Sequence, residues 1–388
     1  MTLTLRIEKV AHGGVFVARH QGQVYFVSGA LDGELVKVSV TETAKSFSKA
    51  NVIEVLEPSP HRVQHFWKAA RQGAGGAEFG HIELSHQREL KSQVLREALF
   101  RFAGIDSTAS VDMLDGDSQD GLHYRTRVQL NVDETGLAGP SKVRSNDIVF
   151  ARELPLAVPE IEELGMQLKN FRGIKKIKIA AGNTGDLQWA LDDKVQGSSQ
   201  LIERVGGRTF RLSVQSFWQA HRLGAQALSA EVINFAKRLG FDSEKQNLDL
   251  YSGAGLFSAT MSEVFSGAKF TAVESSAQAV KSGERSAADL ENLKFAKSDV
   301  LKFLRSQQDV SYDTVILDPP RSGAASKVTA ELIKLRPRNI IYVACDPVAL
   351  ARDLKDLLAS GYNLQGLKAF DLFPHTHHFE TVAALSIT

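Results

Sequence analysis

The sequence predicts an α/β protein in which a doubly wound, mostly parallel sheet follows a small β-barrel and a β-rich central domain. From residue 206 onward, apolar strand-like segments alternate with helical ones, as expected for parallel strands joined by crossover helices. Residues 1–58 consist of short strand-like segments separated by tight turns. A Pro-Ser-Pro sequence at 58–60 marks the end of this first part. We therefore divide the chain into domains 1–58, 59–205 and 206–388.

Domain 1–58 contains five candidate strands: LRIEKVA, GVFVARH, QVYFVSG, ELVKVSVTE and SKANVIEVLE. Gly13-Gly14, Gln21-Gly22 and Asp32-Gly33 mark turns between them. Several short strands with tight turns favour a small β-barrel, a fold that often binds oligonucleotides.

The central domain begins with an irregular His-, Arg- and Gly-rich stretch, and the apolar spacing that follows predicts a helix over 84–103. Residues 108–205 have a β-rich pattern interrupted by the helical segment PEIEELGMQLKNF. The densest group of basic residues lies here, with no acid among them: Lys169, Arg172, Lys175, Lys176 and Lys178. A solvated surface strand accounts for this group, and the net charge of +1 indicates no particular partner.

The composition indicates a cytoplasmic protein outside the membrane. Hydrophobic residues make up 43% and charged residues 23% of the 388 residues, which is ordinary for a globular protein. No apolar run is long enough to span a bilayer, and charges at Arg6, Glu8 and Lys9 argue against a signal peptide. The single cysteine, Cys345, excludes an internal disulfide and a multi-cysteine metal site.

A glycine-rich turn at the first strand of the parallel sheet predicts a cofactor site. In LDLYSGAGLFS (248–258), Gly253 and Gly255 let the backbone approach a ligand at a helix N-terminus. Glu274 ends the next strand, where an acid can accept hydrogen bonds from ribose hydroxyls. Asp299 ends the third strand and can meet an adenine amino group.

The competing interpretation of this turn is a dinucleotide site. That site requires a third glycine, but residue 258 is serine. A nucleoside without a pyrophosphate therefore fits better, and S-adenosyl-L-methionine is the common ligand of that type.

Cys345 follows the strand IIYVA, where Asp346 can cap the next helix and Pro347 suits its first turn. The helix dipole favours the thiolate and the neighbouring Asp346 disfavours it, and the sequence leaves this balance open. A cysteine at this edge of the sheet is more than a packing residue.

Two acids are expected at the same edge. Asp318 ends a strand in LDPPRSGA, which is similar to the Asp-Pro-Pro-aromatic loop of amino-methyltransferases except that Arg321 replaces the aromatic residue. Glu380 begins the last strand, which we expect to be antiparallel to its neighbours. The nearby His375, His377 and His378 show no metal-ligand pattern, and we interpret them as loop or RNA-contacting residues.

Taken together, these segments resemble the RNA 5-methyluridine methyltransferase family over nearly the whole chain. Residues 1–58 look like its TRAM domain, and SVQSFWQAH (213–221) looks like its F-x-Q-x-N segment, with His221 in place of Asn. DLYSGAGLFS, LDPPRSG, YVACDPVALARDL and FPHTHHFETV match its cofactor, Asp-Pro, nucleophile and base motifs in order. The resemblance implies a Rossmann-like class I methyltransferase domain.

The resemblance also implies the roles of individual residues. Cys345 is expected to be the nucleophile and Glu380 the base. Five residues are expected to contact S-adenosyl-L-methionine: Gln219, Tyr251, Glu274, Asp299 and Asp318. The chemistry requires a thiolate that adds to C6 of uracil, a carboxylate that removes the C5 proton, and a base removed from its stack.

Two features depart from the family pattern. Many relatives hold an iron–sulfur cluster through four cysteines, but here Ala74 and Ala77 stand in FWKAARQGAGGAEFGH, Leu154 stands in ELPLA, and none of the four ligands is present. We therefore predict no iron–sulfur cluster, with apolar packing in this vestigial stretch. Many relatives have a polar residue beside the cofactor at the position of Leu256, and the apolar Leu256 leaves open whether this chain makes that contact.

Two other functions compete with an active uridine methyltransferase. A catalytically inactive RNA-binding paralogue would account for the lost cluster cysteines, but the one cysteine that remains is the one the mechanism needs. An amino-methyltransferase is disfavoured by Arg321 and gives Cys345 no purpose. The N-terminal barrel favours rRNA over tRNA as substrate, and nothing in the mechanism requires more than a monomer.

Overall fold

A computed structural model of the protein describes residues 1–143, 145, 147–307 and 310–387. The first five strands close into a barrel in the order β1-β2-β3-β5-β4, as the sequence predicts. Their bounds are β1 (Thr2–Ala11), β2 (Val15–His20), β3 (Gln23–Ser28), β4 (Leu35–Thr43) and β5 (Phe47–Glu57). Side chains such as Leu5, Phe16 and Val38 fill the interior, since alternate residues of a strand face the same side.

The predicted helix over 84–103 is confirmed. It comprises α2 (Leu84–Ala98) and a π-helical turn (Leu99–Ala103), after the short α1 (Lys68–Arg71). Leu90 of α2 belongs to the same hydrophobic cluster as the barrel interior, and Val94 packs against that cluster. Helix α2 therefore connects the barrel to the rest of the protein.

The central region contains a five-stranded sheet in the order β11-β10-β9-β7-β8. Its elements are β7 (Arg127–Val132), β8 (Ala138–Gly139), α3 (Pro159–Glu163), a 3₁₀ turn (Met166–Leu168), β9 (Lys176–Ala181), β10 (Leu187–Leu191) and β11 (Lys194–Gly197). A separate hairpin pairs β12 (Leu201–Val205) with β13 (Arg208–Leu212). The proposed boundary at 205/206 lies in the turn of this hairpin, and the division into domains stays a prediction.

The C-terminal half forms an eight-stranded sheet in the order β16-β15-β14-β17-β18-β20-β19-β6. Its strands are β6 (Val111–Asp112), β14 (Gln246–Leu250), β15 (Lys269–Glu274), β16 (Leu293–Lys297), β17 (Tyr312–Leu317), β18 (Asn339–Ala344), β19 (Asn363–Phe370) and β20 (Glu380–Ser386). Only β20 runs against the other strands, so the predicted mostly parallel sheet and antiparallel last strand are confirmed.

Six helices accompany this sheet: α4 (Gly224–Arg238), α5 (Leu256–Val264), α6 (Ala277–Ser286), α7 (Val300–Arg305), α8 (Ser326–Leu335) and α9 (Pro347–Ala359). Two large hydrophobic clusters contain residues of the strands and helices. The carboxyl ends of the parallel strands and the start of β20 meet at one edge, and the strand order reverses between β14 and β17. Ligands of such sheets bind at this place. In the part of the chain that is described, no helix is long and apolar enough to cross a membrane.

Candidate active site

Cys345 lies in the turn between β18 and α9, as predicted. Asp346 caps the helix, with its Oδ1 accepting hydrogen bonds from the backbone N–H groups of Val348 at 3.0 Å and Ala349 at 2.8 Å. Pro347 occupies the first helical position, where a missing N–H has no cost. These contacts fix the backbone on the helix side of the half-buried thiol.

The environment of Cys345 favours the protonated thiol. Burial, together with the nearby Glu380 and Asp318 carboxyl groups, raises its pKa to about 12, while Arg321 acts in the opposite direction. The sequence left open whether the thiol or the thiolate is favoured. Burial is the main reason that the thiol is favoured, and the neighbouring carboxyl groups act in the same direction. In the free protein the thiol is protonated at neutral pH.

Glu380 and Asp318 both lie near Cys345; Glu380 is buried and Asp318 is half-buried. Burial, with the Asp318 carboxyl group, raises the pKa of Glu380 well above its ordinary value, while Arg321 lowers it. Burial and the neighbouring Asp249 raise the pKa of Asp318 to about 7. The strand ends thus bring two carboxyl groups, one thiol and one guanidinium group into a single electrostatic neighbourhood.

A narrow cavity lies at the glycine-rich turn. It is lined by Phe217, Trp218, Gln219, Tyr251, Ser252, Gly253, Ala254, Leu256, Phe257 and Asp318. Tyr251 has a φ of +60°, in the left-handed region that side chains rarely adopt, so the chain turns sharply after β14. A Cβ atom at Gly253 would meet nothing within 4 Å, which leaves space beside the backbone.

The remaining predicted cofactor residues lie around this turn. Glu274 accepts hydrogen bonds from the backbone N–H groups of Gly253 at 3.1 Å and Ser276 at 2.7 Å. Asp299 differs from its expected place: β16 ends at Lys297, and Asp299 caps α7 through a hydrogen bond from Lys302 N–H. Its charge contributes to raising the pKa of Tyr251 to about 12, second to burial. All five predicted cofactor residues are therefore grouped at this turn and its cavity.

Residues 193–387 match the family model described as tRNA (Uracil-5-)-methyltransferase, and residues 1–53 match the TRAM domain. An uncharacterized RNA methyltransferase of Corynebacterium efficiens is 33% identical over 99% of this chain and 94% of its own length. The chain belongs to the tRNA (uracil-5-)-methyltransferase family. It is accordingly an S-adenosyl-L-methionine-dependent RNA (uracil-C5) methyltransferase.

Two further members and one structure extend the comparison. An uncharacterized RNA methyltransferase of Streptomyces avermitilis is 34% identical over 98% of this chain and 97% of its own length. The 23S rRNA (uracil(1939)-C(5))-methyltransferase RlmD of Photorhabdus laumondii is 28% identical over 99% of this chain and 96% of its own. The Pyrococcus abyssi tRNA (uracil-54, C5)-methyltransferase, solved with S-adenosyl-L-homocysteine, superposes with a TM-score of 0.73. It is 21% identical and covers 99% of this chain and 100% of its own, which shows the shared fold.

One acid of this uracil-C5 methyltransferase site was missed in the sequence. Asp249 is fully buried in β14, where its Oδ2 accepts a hydrogen bond from Ser258 N–H at 2.9 Å. Burial raises its pKa to about 6. Its Oδ1 has no hydrogen-bond partner among the described residues. The available signal was an acid between two leucines of β14, two residues before Tyr251.

A hydrogen-bonded network holds the Asp-Pro-Pro loop against α9. Asp353 Oδ2 accepts hydrogen bonds from Ala324 N–H at 2.8 Å and from Tyr342 Oη–H at 2.6 Å. A Cβ atom at Gly323 would lie 2.6 Å from the same oxygen, so glycine is required there. The helix that follows Cys345 therefore also fixes the loop that carries Asp318 and Arg321.

The histidines divide into structural and cavity-lining residues. His221 is buried, with Nε2 3.0 Å from Asp117 Oδ2. His375 is buried too, and its backbone N–H donates to Gln87 Oε1 at 2.8 Å. His377 and His378 line the cavity at Cys345. Over the described ranges, no group of three or more His, Cys, Asp or Glu side chains could hold a metal ion.

The segment FWKAARQGAGGAEFGH (66–81) contributes apolar side chains to the core of the central region. Trp67, Ala74, Ala77 and Leu154 belong to one hydrophobic cluster of the central region. Trp67 also donates its indole N–H to the backbone oxygen of Glu153 at 3.0 Å. The burial of these apolar side chains stabilises the region. None of them is a thiolate ligand for a cluster.

Proposed function

We propose that this enzyme methylates C5 of a specific uridine in RNA through a covalent bond between Cys345 Sγ and C6, with Glu380 removing the C5 proton. The observation that carries the proposal is the placement of the only cysteine of the chain beside a buried carboxylic acid at the ligand-binding edge of the sheet. An enzyme that methylates an exocyclic amino group needs neither a thiol nor this base.

We assign the binding of S-adenosyl-L-methionine to the glycine-rich turn. The space beside Gly253 suits a ligand that approaches the backbone closely. Gln219, Tyr251, Glu274, Asp299 and Asp318 are the residues that would hold it. When bound, S-adenosyl-L-methionine supplies an electrophilic methyl group on a positively charged sulfur. Asp318 lines this cavity and acts electrostatically on Cys345, so it lies between the two halves of the site.

The residues act in a fixed order on the uracil. The Cys345 thiol gives its proton to solvent and the resulting thiolate adds to C6, which moves the C5–C6 electron pair into an enolate spanning C5, C4 and O4. C5 then becomes nucleophilic enough to take the methyl group. Glu380 accepts the C5 proton, the C5–C6 double bond re-forms, and the thiolate leaves. The raised pKa of Glu380 makes its ionised form a stronger base than an exposed carboxylate.

The substrate that we propose is a uridine in 23S rRNA. The full-length similarity to the Photorhabdus laumondii enzyme and the presence of the barrel support this choice. A uridine in tRNA is the second candidate, supported by the full-length superposition on the Pyrococcus abyssi enzyme, which also includes the barrel region. In either RNA the target base must leave its stack, since C6 is inaccessible within a helix. The cytoplasmic location and the monomeric state of the protein remain predictions.

The test uses 5-fluorouridine-substituted rRNA fragments and tRNA, incubated with the protein and S-adenosyl-L-methionine and then resolved under denaturing conditions. Fluorine at C5 cannot be removed by Glu380, so we expect a methylated covalent adduct on Cys345 with one RNA pool. Cys345→Ser serves as the matched control that forms no adduct. RNA binding without any adduct or 5-methyluridine would overturn the covalent mechanism.

A further inference from the structure

The cavity at Cys345 has a wall that comes from the N-terminal barrel. Its volume is about 180 Å³, and it lies between the nucleophile turn, the histidine loop before β20 and the turn between β1 and β2. We call residues 12–14 the barrel turn. These three residues lie more than 300 positions from Cys345 in the sequence, and all three line the same cavity.

His12 of the barrel turn binds the residue that follows the nucleophile. His12 Nε2 lies 2.7 Å from Asp346 Oδ2, while Asp346 Oδ1 accepts the two hydrogen bonds that cap α9. The two oxygens of one carboxylate therefore connect the barrel to the helix N-terminus. The orientation of the peptide that carries Cys345 depends on both contacts.

Gly14 makes a second, independent contact on the other side of the cavity. A Cβ atom at this position would lie 2.8 Å from His377 Nδ1 and 2.9 Å from His377 Cβ, and the φ of Gly14 is +72°. Only glycine permits this conformation and this approach. The His377 ring is 3.9 Å from the ring of His378, which is followed by Phe379 and the base Glu380.

We propose that the barrel turn is a positioning element of the active site, with His12 holding the nucleophile turn through Asp346. The inference rests on the proposed covalent mechanism and deepens it. On this basis the barrel does more than bind RNA: its turn contacts the residue after the nucleophile and the segment before the base. The turn also forms part of the wall of the cavity at Cys345.

A matched control exists in the same barrel. Lys9 Nζ lies 2.6 Å from Glu97 Oε1 of α2, so it forms another ion pair between the barrel and the body of the protein. The Lys9 and His12 side chains are equally exposed, at 48% each. Lys9 does not line the cavity. Lys9→Ala therefore removes a similar contact without changing the wall of the cavity.

The first measurement is methyl transfer to RNA at saturating concentration, together with RNA affinity. We expect His12→Ala to lower kcat about tenfold while the RNA Kd changes less than twofold, and Lys9→Ala to leave kcat unchanged. His12→Gln, whose amide can still donate to Asp346, should recover most of kcat. If His12→Ala and Lys9→Ala weaken RNA binding equally and leave kcat alone, the barrel acts only by docking and the proposal is overturned.

The second measurement does not depend on catalysis. Because Cys345 is the only cysteine, thiol alkylation reports on this site without further substitutions. The rate with a bulky maleimide, divided by the rate with iodoacetamide, measures access to the thiol and cancels its ionised fraction. We expect this ratio to rise at least threefold in His12→Ala and to stay constant in Lys9→Ala. An unchanged ratio in His12→Ala would overturn the role of the turn, whereas a raised ratio in a protein that forms no adduct would overturn only the covalent mechanism.

Discussion

Lys91 Nζ lies 2.6 Å from Asp371 Oδ1, and both side chains are buried, at 0% and 1% exposure. The same ammonium group donates to the backbone oxygen of Phe373 at 3.1 Å. Lys91 belongs to α2, and residues 371–373 begin the loop that leads through the histidines to Glu380. Helix α2 therefore holds the base loop as well as the barrel.

Removing one partner of this ion pair should destabilise the protein strongly. Lys91→Met leaves the Asp371 carboxylate buried without its cation, and the loss of one member of a buried pair typically costs about 3–5 kcal/mol. We expect a decrease of that size in the free energy of unfolding, measured by urea denaturation. Lys142→Met, which removes an exposed ion pair to Asp147, is the control and should cost less than about 1 kcal/mol. Equal effects of the two substitutions would show that the buried ion pair does not stabilise the fold more than an exposed one.

Substitutions of the two catalytic candidates should give opposite results with RNA. Glu380→Gln keeps the size of the side chain but removes the base, so the methylated adduct cannot lose its C5 proton. We expect a covalent protein–RNA species with ordinary, unfluorinated RNA, visible on a denaturing gel. Cys345→Ser should form none, and neither variant should release 5-methyluridine. Free turnover by Glu380→Gln would assign the base to another group.

The reactivity of the thiol in the free protein should rise with pH well beyond the range of an ordinary cysteine. With a pKa of about 12, the thiolate fraction increases about tenfold per pH unit between pH 7 and pH 10, whereas an exposed thiol levels off above about pH 8.5. Iodoacetamide rates across this range provide the measurement. Glu380→Gln removes a negative charge beside the thiol and should increase the rate at pH 9. A plateau near pH 8.5 in the wild-type protein would contradict the environment described for Cys345.

The ionisation of Asp318 should lower the free energy of unfolding as the pH rises. Its pKa of about 7 in the folded protein exceeds that of an unfolded aspartate, so the folded state binds the additional proton. The free energy of unfolding should therefore fall between about pH 4 and pH 7, by about 4 kcal/mol for a shift of this size. Asp318→Asn should remove this loss.

Urea unfolding of the wild type and Asp318→Asn at pH 5 and pH 8 isolates this contribution, because the other titrating groups are common to both proteins. We expect the variant to gain more stability relative to wild type at pH 8 than at pH 5. The same difference at both values would mean that Asp318 ionises normally.

Local patterns in the sequence were sufficient for the individual elements. Turn glycines and alternating apolar residues predict the barrel strands, and Asp346 with Pro347 predicts the start of α9, because caps and turns depend on neighbouring residues. The placement of Cys345, Asp318 and Glu380 at strand ends follows from the same signals. Asp299 was expected to end β16, but this strand ends at Lys297 and Asp299 caps α7. Strand boundaries are weakly encoded in the sequence, and an aspartate suits both positions.

Contacts between residues far apart in the sequence depend on long-range packing. His12 and Asp346 are separated by 334 positions, and Lys91 and Asp371 by 280, and no periodicity relates them. The two-residue strand β6 joins the sheet beside β19 although its own sequence carries no strand pattern. Burial likewise settled the protonation of Cys345, since a pKa depends on the solvent and charges that remain after packing. Local sequence patterns specify the elements and the chemical groups that they carry, whereas long-range packing sets the distances between these groups and their ionisation.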